Sequence, residues 1–146
     1  MAGNPFEYLF WKMKTIDDQK QETNILIPPV ILQEGYDGKI LLVSVSSAAI
    51  TKTVILRSGD VWHREILRNT ENEIQSYGIA DAQVHQLGGA WVRFEPDGTI
   101  IIYGRSQEFG ACDKAYAAEL VRDLFPQKRV EVRNSGLTEQ SGMTIE

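Results

Sequence analysis

The stretch that decides the fold is KILLVSVS, residues 39–46, in which every position from Ile40 to Val43 is aliphatic. An almost unbroken aliphatic run of this length is typical of a central strand that is buried on both faces of a sheet. Asp37 and Gly38, just before it, have the turn chemistry that introduces a strand. The chain around this run is therefore expected to build a sheet that is covered on both sides.

Further strand patterns lie on either side of this run. Upstream, Pro28 and Pro29 limit residues 25–32 to an edge strand or an extended lead-in, because proline has no N–H to donate. Downstream, the β-branched run at 52–57 predicts a second strand. The remaining strands are predicted at 80–87 and 90–95, separated by Gly88-Gly89, then at 99–104, after the turn Pro96-Asp97-Gly98, and at 128–133.

A first helix is predicted between the strands at 52–57 and 80–87. Asp60 is expected to cap it, with Val61 as its first residue and Gly78 as its stop. The apolar stripe at helical spacing consists of Ile66, Leu67, Thr70, Ile74 and Tyr77.

A second helix is expected from Asp113 to Phe125, where Ala117, Leu120 and Val121 follow the helical period. The order is then strands, helix, strands, helix and strand. This order predicts an α/β fold, with a mixed sheet of about six strands flanked by two α-helices in a single domain.

Composition excludes several function classes. The chain has 146 residues, with 20 acidic and 15 basic side chains and a net charge of −5, so neither nucleic acid nor an anionic membrane is expected as a partner. Its apolar runs are far shorter than the ~20 residues that cross a bilayer. Cys112 is the only cysteine, which excludes a disulfide within the chain. Residues 1–20 have neither signal-peptide nor transit-peptide character. These features predict a soluble, cytoplasmic protein.

The two ends differ in composition from the middle. Residues 1–24 are expected to form an N-terminal arm, residues 25–136 the folded domain, and residues 137–146 a polar tail. The arm carries four aromatic side chains, which are costly to leave in water: Phe6, Tyr8, Phe10 and Trp11. Either they cover a flank of their own domain or they dock on a protein partner, and the sequence leaves both options open.

Only two histidines, His63 and His85, are available for chemistry. His85 lies in the middle of a predicted strand, where a half-buried structural histidine is expected. His63 lies in the first turn of the predicted helix, where backbone N–H groups and the helix dipole attract an anion. An ordinary surface histidine at a helix start fits the same pattern.

A second candidate anion site is the loop GRSQEFG, residues 104–110, which leaves a strand, leads to a helix and is bounded by two glycines. Such a loop can turn successive N–H groups inward, and Arg105 and Ser106 would add donors. The chain has no Walker loop, dinucleotide fingerprint, nucleophile elbow or HExxH motif, so those enzyme classes have no sequence support.

Four blocks of sequence resemble, in order, the protein histidine phosphatases of the Janus/ocnus family, whose members remove phosphate from phosphohistidine. They span about residues 25–136. The resemblance implies a mixed six-stranded sheet between helices and a phosphatase without a metal or other cofactor. The blocks are Ile27-Pro28 with DGKILLV at 37–43, VWH at 61–63 continuing to Gly78, LGG at 87–89, and IYGRS at 102–106 continuing to Asn134.

The resemblance also implies roles for single residues. His63, which follows the aromatic Trp62, matches the catalytic histidine, and Lys39 matches an active-site lysine. Ser106 matches the serine of the phosphate-binding loop. Arg64 matches the residue directly after the catalytic histidine, which contributes its backbone N–H to the site. The other loop residues expected to contact the substrate are Arg105, Gln107 and Glu108.

The implied function is hydrolysis of phosphohistidine, with phospholysine as a further substrate, in a partner protein that carries it. His63 would act either as general base or as nucleophile, and the sequence does not separate the two roles. A phosphatase for small molecules stays open as well, because the pocket and not the fold sets specificity.

A different class of function is also open. Gln107 and Glu108 stand where the family has small or apolar residues. Of two family arginines, one has no clear counterpart, with Trp91 near its position and Arg93 two residues further on. The other is matched by Arg57 only after a shift in register. Since phosphoryl transfer depends on positioned positive charge, a catalytically weakened member is an alternative. It would serve as a binding or structural subunit of a larger assembly through the aromatic arm.

Overall fold

A five-stranded sheet with one helix on each face makes up the described part of the chain. The structure, a computed structural model, describes residues 27–134. The elements in chain order are β1 (Gly38–Ser46), β2 (Thr53–Ser58), α1 (His63–Ser76), β3 (Gln83–Phe94), β4 (Ile100–Tyr103), α2 (Lys114–Leu124) and β5 (Val130–Arg133).

The sheet is mixed, as the order of the predicted elements indicates. Its strand order is β2-β1-β3-β4-β5. The pairs β2–β1, β1–β3 and β3–β4 are antiparallel, whereas β4 and β5 are parallel. Parallel neighbours need a crossover connection, and α2 provides it between β4 and β5.

β1 is buried on both faces, which confirms the expectation from its aliphatic run. Ile40 and Leu42 pack with Val121 of α2 on one face of the sheet. Leu41 packs with Ile66 of α1 on the other face. The two helices therefore cover opposite faces, and β1 belongs to both cores.

α1 begins two residues later than the sequence predicts. Its first residue is His63 and its N-cap is Trp62, not Asp60. Asp60 still shapes the entry, because its Oδ1 accepts a hydrogen bond from the Trp62 N–H at 3.3 Å. This turn holds residues 61 and 62 outside the helix. The buried stripe consequently starts at the first helical residue and consists of His63, Ile66, Thr70 and Ile74.

The sequence predicted that Gly88-Gly89 separates two strands, and this prediction is wrong. The two predicted strands are one strand of 12 residues, β3, which passes through both glycines. Its register against β1 shifts between Leu41 and Val43, where β3 contains one extra residue. Gly88 adopts a φ of 96°, which only glycine enters readily, so the pair forms a bulge rather than a turn.

The segment at 27–32 forms only a single bridge, between Val30 and Leu56. Leu56 accepts from Ile31 N at 3.0 Å and donates to Pro29 O at 2.8 Å. Pro28 and Pro29 supply no N–H groups, which restricts the pairing. The described sheet therefore has five strands instead of about six.

α2 agrees with its predicted bounds. Asp113 is its N-cap and accepts a hydrogen bond from Tyr116 N at 3.1 Å through Oδ1. Neither helix of residues 27–134 is long and apolar enough to cross a membrane. The predicted arm with Phe6, Tyr8, Phe10 and Trp11 and the predicted tail at 137–146 lie outside the described residues, so their boundaries and the docking role stay predictions.

An ion pair joins β2 to α1. Arg57 is buried, and its Nε and Nη2 donate to the two carboxylate oxygens of Glu73 at 2.7 and 2.8 Å. Tyr77 also donates to Glu73. Burial alone would raise the pKa of Glu73, but the hydrogen bonds from Arg57 and Tyr77 outweigh it and hold that pKa below its usual value. Arg57 is thus committed to holding the helix on the sheet.

We expect Glu73→Gln to lower the free energy of unfolding by about 2–4 kcal/mol at pH 7, because it leaves the buried Arg57 without a carboxylate. Since the pKa of Glu73 is lower in the folded than in the unfolded chain, this contribution is present above about pH 4.5 and is lost as the pH falls through the folded pKa. Urea unfolding between pH 3 and pH 7 measures it. Glu131→Gln, which disrupts more exposed pairs with Arg129 and Arg133, should cost under about 1 kcal/mol. Equal losses in the two variants would contradict the assignment.

Candidate functional site

His63 is held inside the protein by the neighbouring strand. It is 3% exposed, so it is not the surface histidine that its position at a helix start allows. Its Nε2 lies 3.0 Å from the carbonyl oxygen of Ala90 in β3. Because a carbonyl oxygen only accepts hydrogen bonds, Nε2 carries the proton of the neutral ring and Nδ1 carries the lone pair. The strand thereby sets both the tautomer and the orientation of the imidazole.

Ser106 lies in a loop that closes on itself. Ser106 N donates to Gly110 O at 3.1 Å, and Gly110 N donates to Ser106 O at 2.9 Å. The Ser106 hydroxyl accepts from Phe109 N at 3.0 Å, and the residue is fully buried. A hydroxyl has one proton to donate in addition, so Ser106 can serve an acceptor placed beside the loop.

Gly89 is the point at which His63 and Ser106 meet. A Cβ atom on Gly89 would lie 2.5 Å from His63 Cδ2 and 3.0 Å from Ser106 Cβ. The imidazole and the serine therefore both pack against Gly89, and their close approach to the strand is possible because this residue has no side chain.

Gly88 allows a similar close approach to β3 by the segment that follows the Ser106 loop. A Cβ there would lie 2.7 Å from Ala111 O. Gly89 N donates to Gly110 O at 2.9 Å, and Cys112 N donates to Gly89 O at 3.1 Å. By sequence alone, this glycine pair indicates a strand break and forms part of the family resemblance. Two adjacent glycines within a strand pattern are also the signature of a close backbone approach, and that is their role here.

Lys39 lies between two tryptophans. It is 6% exposed, and its Nζ lies 4.8 Å from the Trp62 ring centroid and 5.3 Å from the Trp91 ring centroid. Trp91 is the cross-strand partner of Lys39 in β3. Aromatic faces attract an ammonium group, so the two rings stabilise the charge of Lys39 next to the residue that precedes His63. Trp91 thus supplies an aromatic face where the resemblance leads one to expect an arginine.

The other predicted substrate-binding residues lie at the surface. Arg64 and Glu108 are both more than half exposed, and Arg64 Nη1 lies 4.0 Å from Glu108 Oε1. The carboxylate of Glu108 is therefore offset by a positive charge from α1. Arg105 and Gln107 are exposed on the same loop. The structure thus brings His63 and Ser106 together and connects Lys39 to them through Trp62, while the remaining predicted residues form the outer edge.

His85 is exposed, not half-buried as the sequence predicted. It pairs with Ser44 across β1 and β3. Its neighbour Val84 packs into the core beneath α1. Since side chains alternate along a strand, His85 points to the opposite face. It lies outside the candidate site.

A cleft of about 520 Å³ adjoins the site. It is lined by Tyr36, Asp37, Gly38, Lys39, Gly59, Asp60, Val61 and Trp91. Nowhere in residues 27–134 do three or more His, Cys, Asp or Glu side chains come together as ligands for a metal ion.

Residues 23–129 match the sequence pattern of the Janus/Ocnus family (Ocnus). The chain belongs to this family. It is similar to the sex-regulated protein janus-A of Drosophila simulans and of Drosophila erecta, with 25% identity to each over 136 residues, which cover 91% of this chain and 98% of the relative. The janus-A protein of Drosophila melanogaster is 24% identical over the same shares. This match confirms the Janus/Ocnus membership that the resemblance indicated.

We expect Gly89→Ala to disrupt the site, because the new methyl group would overlap the His63 ring. Moving the ring and the Ser106 loop should cost about 1–3 kcal/mol in the free energy of unfolding. The measurement is chemical denaturation, together with the NMR chemical shifts of the His63 ring. Gly78→Ala is the matched control, since it strains a residue at φ 72° with open space around it at the far end of α1. Unchanged His63 shifts in Gly89→Ala would contradict the close contact.

Proposed function

We propose that this Janus/Ocnus chain is a phosphatase that hydrolyses phosphohistidine in proteins, with phospholysine as a further substrate, and that it needs no metal ion. The observation that carries the proposal is the meeting of His63 and Ser106 over Gly89. One residue brings an imidazole with a defined tautomer, and the other brings a hydroxyl that has a proton to donate, whereas the N–H groups of Ser106, Phe109 and Gly110 are used within the loop. The pair fits acid–base or nucleophilic chemistry on a bound phosphoryl group.

Several positive groups around this pair support anion binding. His63 and Arg64 begin α1, and the Trp62 side chain makes no capping hydrogen bond to that helix end. Backbone N–H groups and the helix dipole at such an end favour a phosphoryl group. Lys39 adds a full positive charge, held in place by two indole rings. Fixed charges and donors of this kind stabilise the negative charge that spreads over the oxygens in phosphoryl transfer.

The reaction breaks the P–N bond of the substrate and forms a P–O bond to water. In one route, Nδ1 of His63 takes a proton from the attacking water, and the leaving nitrogen of the substrate receives a proton. In the other route, Nδ1 attacks phosphorus, the substrate nitrogen leaves with a proton, and water then releases phosphate from His63. Both routes place positive charge on the imidazole, and the Ala90 carbonyl stabilises it through Nε2–H.

We also propose a cytoplasmic location for this chain. Its one cysteine, Cys112, is buried, and burial raises the pKa of its thiol to about 11. A thiol with such a pKa stays protonated and unreactive at neutral pH, as suits a structural cysteine in a reducing compartment.

Substitution of His63 tests the activity. We expect wild-type protein to release phosphate from a phosphohistidine peptide in the presence of EDTA, and His63→Ala to be slower by about 100-fold or more, because the proton acceptor or nucleophile is gone. His85→Ala is the matched control, since it removes the other histidine from an exposed position and should keep full activity. Folding of each variant is checked by circular dichroism.

The outcomes separate the candidate functions. Equal rates in His63→Ala and wild type would overturn the assigned site. A folded wild-type protein that releases no phosphate would overturn the phosphatase and favour a binding or structural subunit, for which the arm at Phe6, Tyr8, Phe10 and Trp11 would be the surface to examine.

Glu108 is expected to limit substrate affinity. Its carboxylate belongs to the loop of Ser106 and only an exposed arginine offsets it. We expect Glu108→Gln to raise kcat/KM by about two- to fivefold at low ionic strength, and the gain to shrink with added salt. Glu119→Gln removes the same charge from the exposed face of α2 and should leave kcat/KM unchanged. A lower kcat/KM in Glu108→Gln would show that the carboxylate assists the reaction.

A further inference from the structure

We infer that the cleft beside Lys39 binds a basic side chain, of lysine or arginine, that neighbours the phosphorylated residue in the substrate polypeptide. This inference rests on the proposed phosphatase function and adds a substrate preference to it. It is carried by the position of the cleft, the charges on its walls and the apolar surface at its mouth.

The cleft begins where the candidate site ends. Lys39 lines the cleft and also contacts Trp62, the residue before His63. Asp60 and Val61, directly before Trp62 in the chain, form another part of the wall. A polypeptide with its phosphorylated residue at His63 therefore has the cleft within reach of its next side chains. The volume of about 520 Å³ lies in the range of pockets that hold small organic groups.

The walls of the cleft favour a cation. Two carboxylates line it, those of Asp37 and Asp60. Each holds a backbone N–H through Oδ1, Asp37 that of Phe94 at 2.9 Å and Asp60 that of Trp62 at 3.3 Å. A carboxylate has capacity for further donors through its second oxygen. The ring of Trp91 offers an aromatic surface, which also attracts cations.

Among the described residues that line this cleft, Lys39 is the only cation. Its ammonium group contacts both indole rings, and in the proposed reaction its charge offsets that of the phosphoryl group. Arg93 interacts electrostatically with Asp37 but is hydrogen-bonded to Glu95. When substrate is bound, the described residues that line the cleft therefore provide no further cation for its two carboxylates. A lysine or arginine side chain from the substrate would supply the missing charge.

The surface at the mouth of the cleft fits a polypeptide better than a free amine. Val61 is 70% exposed and Trp62 is 55% exposed, although both are large and apolar. Exposed apolar side chains next to a cleft are typical of surfaces that bind another chain. The cleft would hold the basic group while Val61 and Trp62 contact the flanking residues.

The first measurement compares two phosphohistidine peptides that differ only in an arginine or a glutamate beside the phosphorylated residue. We expect wild-type protein to prefer the arginine peptide by about three- to tenfold in kcat/KM. The Asp37→Asn/Asp60→Asn double variant keeps oxygen acceptors for both backbone N–H groups and should bring this ratio close to one. Asp123→Asn on α2 is the matched control and should keep the wild-type ratio. An unchanged ratio in the double variant overturns the inference.

The second measurement does not depend on catalysis. The same two peptides without phosphate are titrated into the full chain in the presence of inorganic phosphate, and binding is followed by tryptophan fluorescence, since Trp91 lines the cleft. Tighter binding of the arginine peptide to wild type, and equal binding of both peptides to the double variant, support the cleft assignment. Equal affinities in wild type, or binding of neither peptide, overturn it. Absence of phosphate release with every substrate contradicts the phosphatase, while this titration still decides about the cleft.

Discussion

The candidate site depends on a steric constraint, the missing side chains at Gly88 and Gly89. A Cβ on Gly89 would fall 2.6 Å from His63 Nε2, and a Cβ on Gly88 would fall 2.8 Å from Cys112 N. Gly88 lets the segment after the Ser106 loop run along β3. Gly89 lets the imidazole of His63 and Ser106 approach the same strand. The protein interior is close-packed and yields little, so a methyl group here would move the helix start or the loop. The geometry of the His63–Ser106 pair is in this way set by two residues of β3 that have no side chain.

Each charged side chain around the site has specific neighbours that stabilise or offset its charge. Arg57, which matches a family arginine only after a shift in register, forms an ion pair with Glu73 that holds α1 on the sheet. Lys39 is the buried cation near the helix start, and Trp62 and Trp91 stabilise it from two sides. At the surface, Arg64 of α1 offsets the negative charge of Glu108 in the Ser106 loop. The candidate site therefore combines the enclosed ammonium group of Lys39 with a helix end, an arrangement in which backbone groups and this ammonium group share the binding of an anion.

Residue patterns predicted most of the fold because they reflect local chemistry. The aliphatic run of β1, the apolar stripe of α1 from Ile66 onward and the Asp113 cap of α2 all appear where the sequence indicates them. The errors arose where tertiary contacts override local preference. Gly88-Gly89 looks like a turn, but pairing with β1 on one side carries β3 through it as a bulge. His85 alternates away from the face that α1 covers and is exposed, which composition does not reveal.

The sequence by itself determined the class of fold, the family and the residues to inspect, because hydrophobic period, turn chemistry and the order of short motifs are properties of the chain alone. His63 even lies on the helical period of Ile66, Thr70 and Ile74, which indicates its buried face once the helix start is known. Only the tertiary structure decided that His63 and Ser106, 43 positions apart in the numbering, meet over Gly89, and that two tryptophans enclose Lys39. These contacts join different strands, loops and helices, and their distances follow from the packing of the whole sheet rather than from any local pattern.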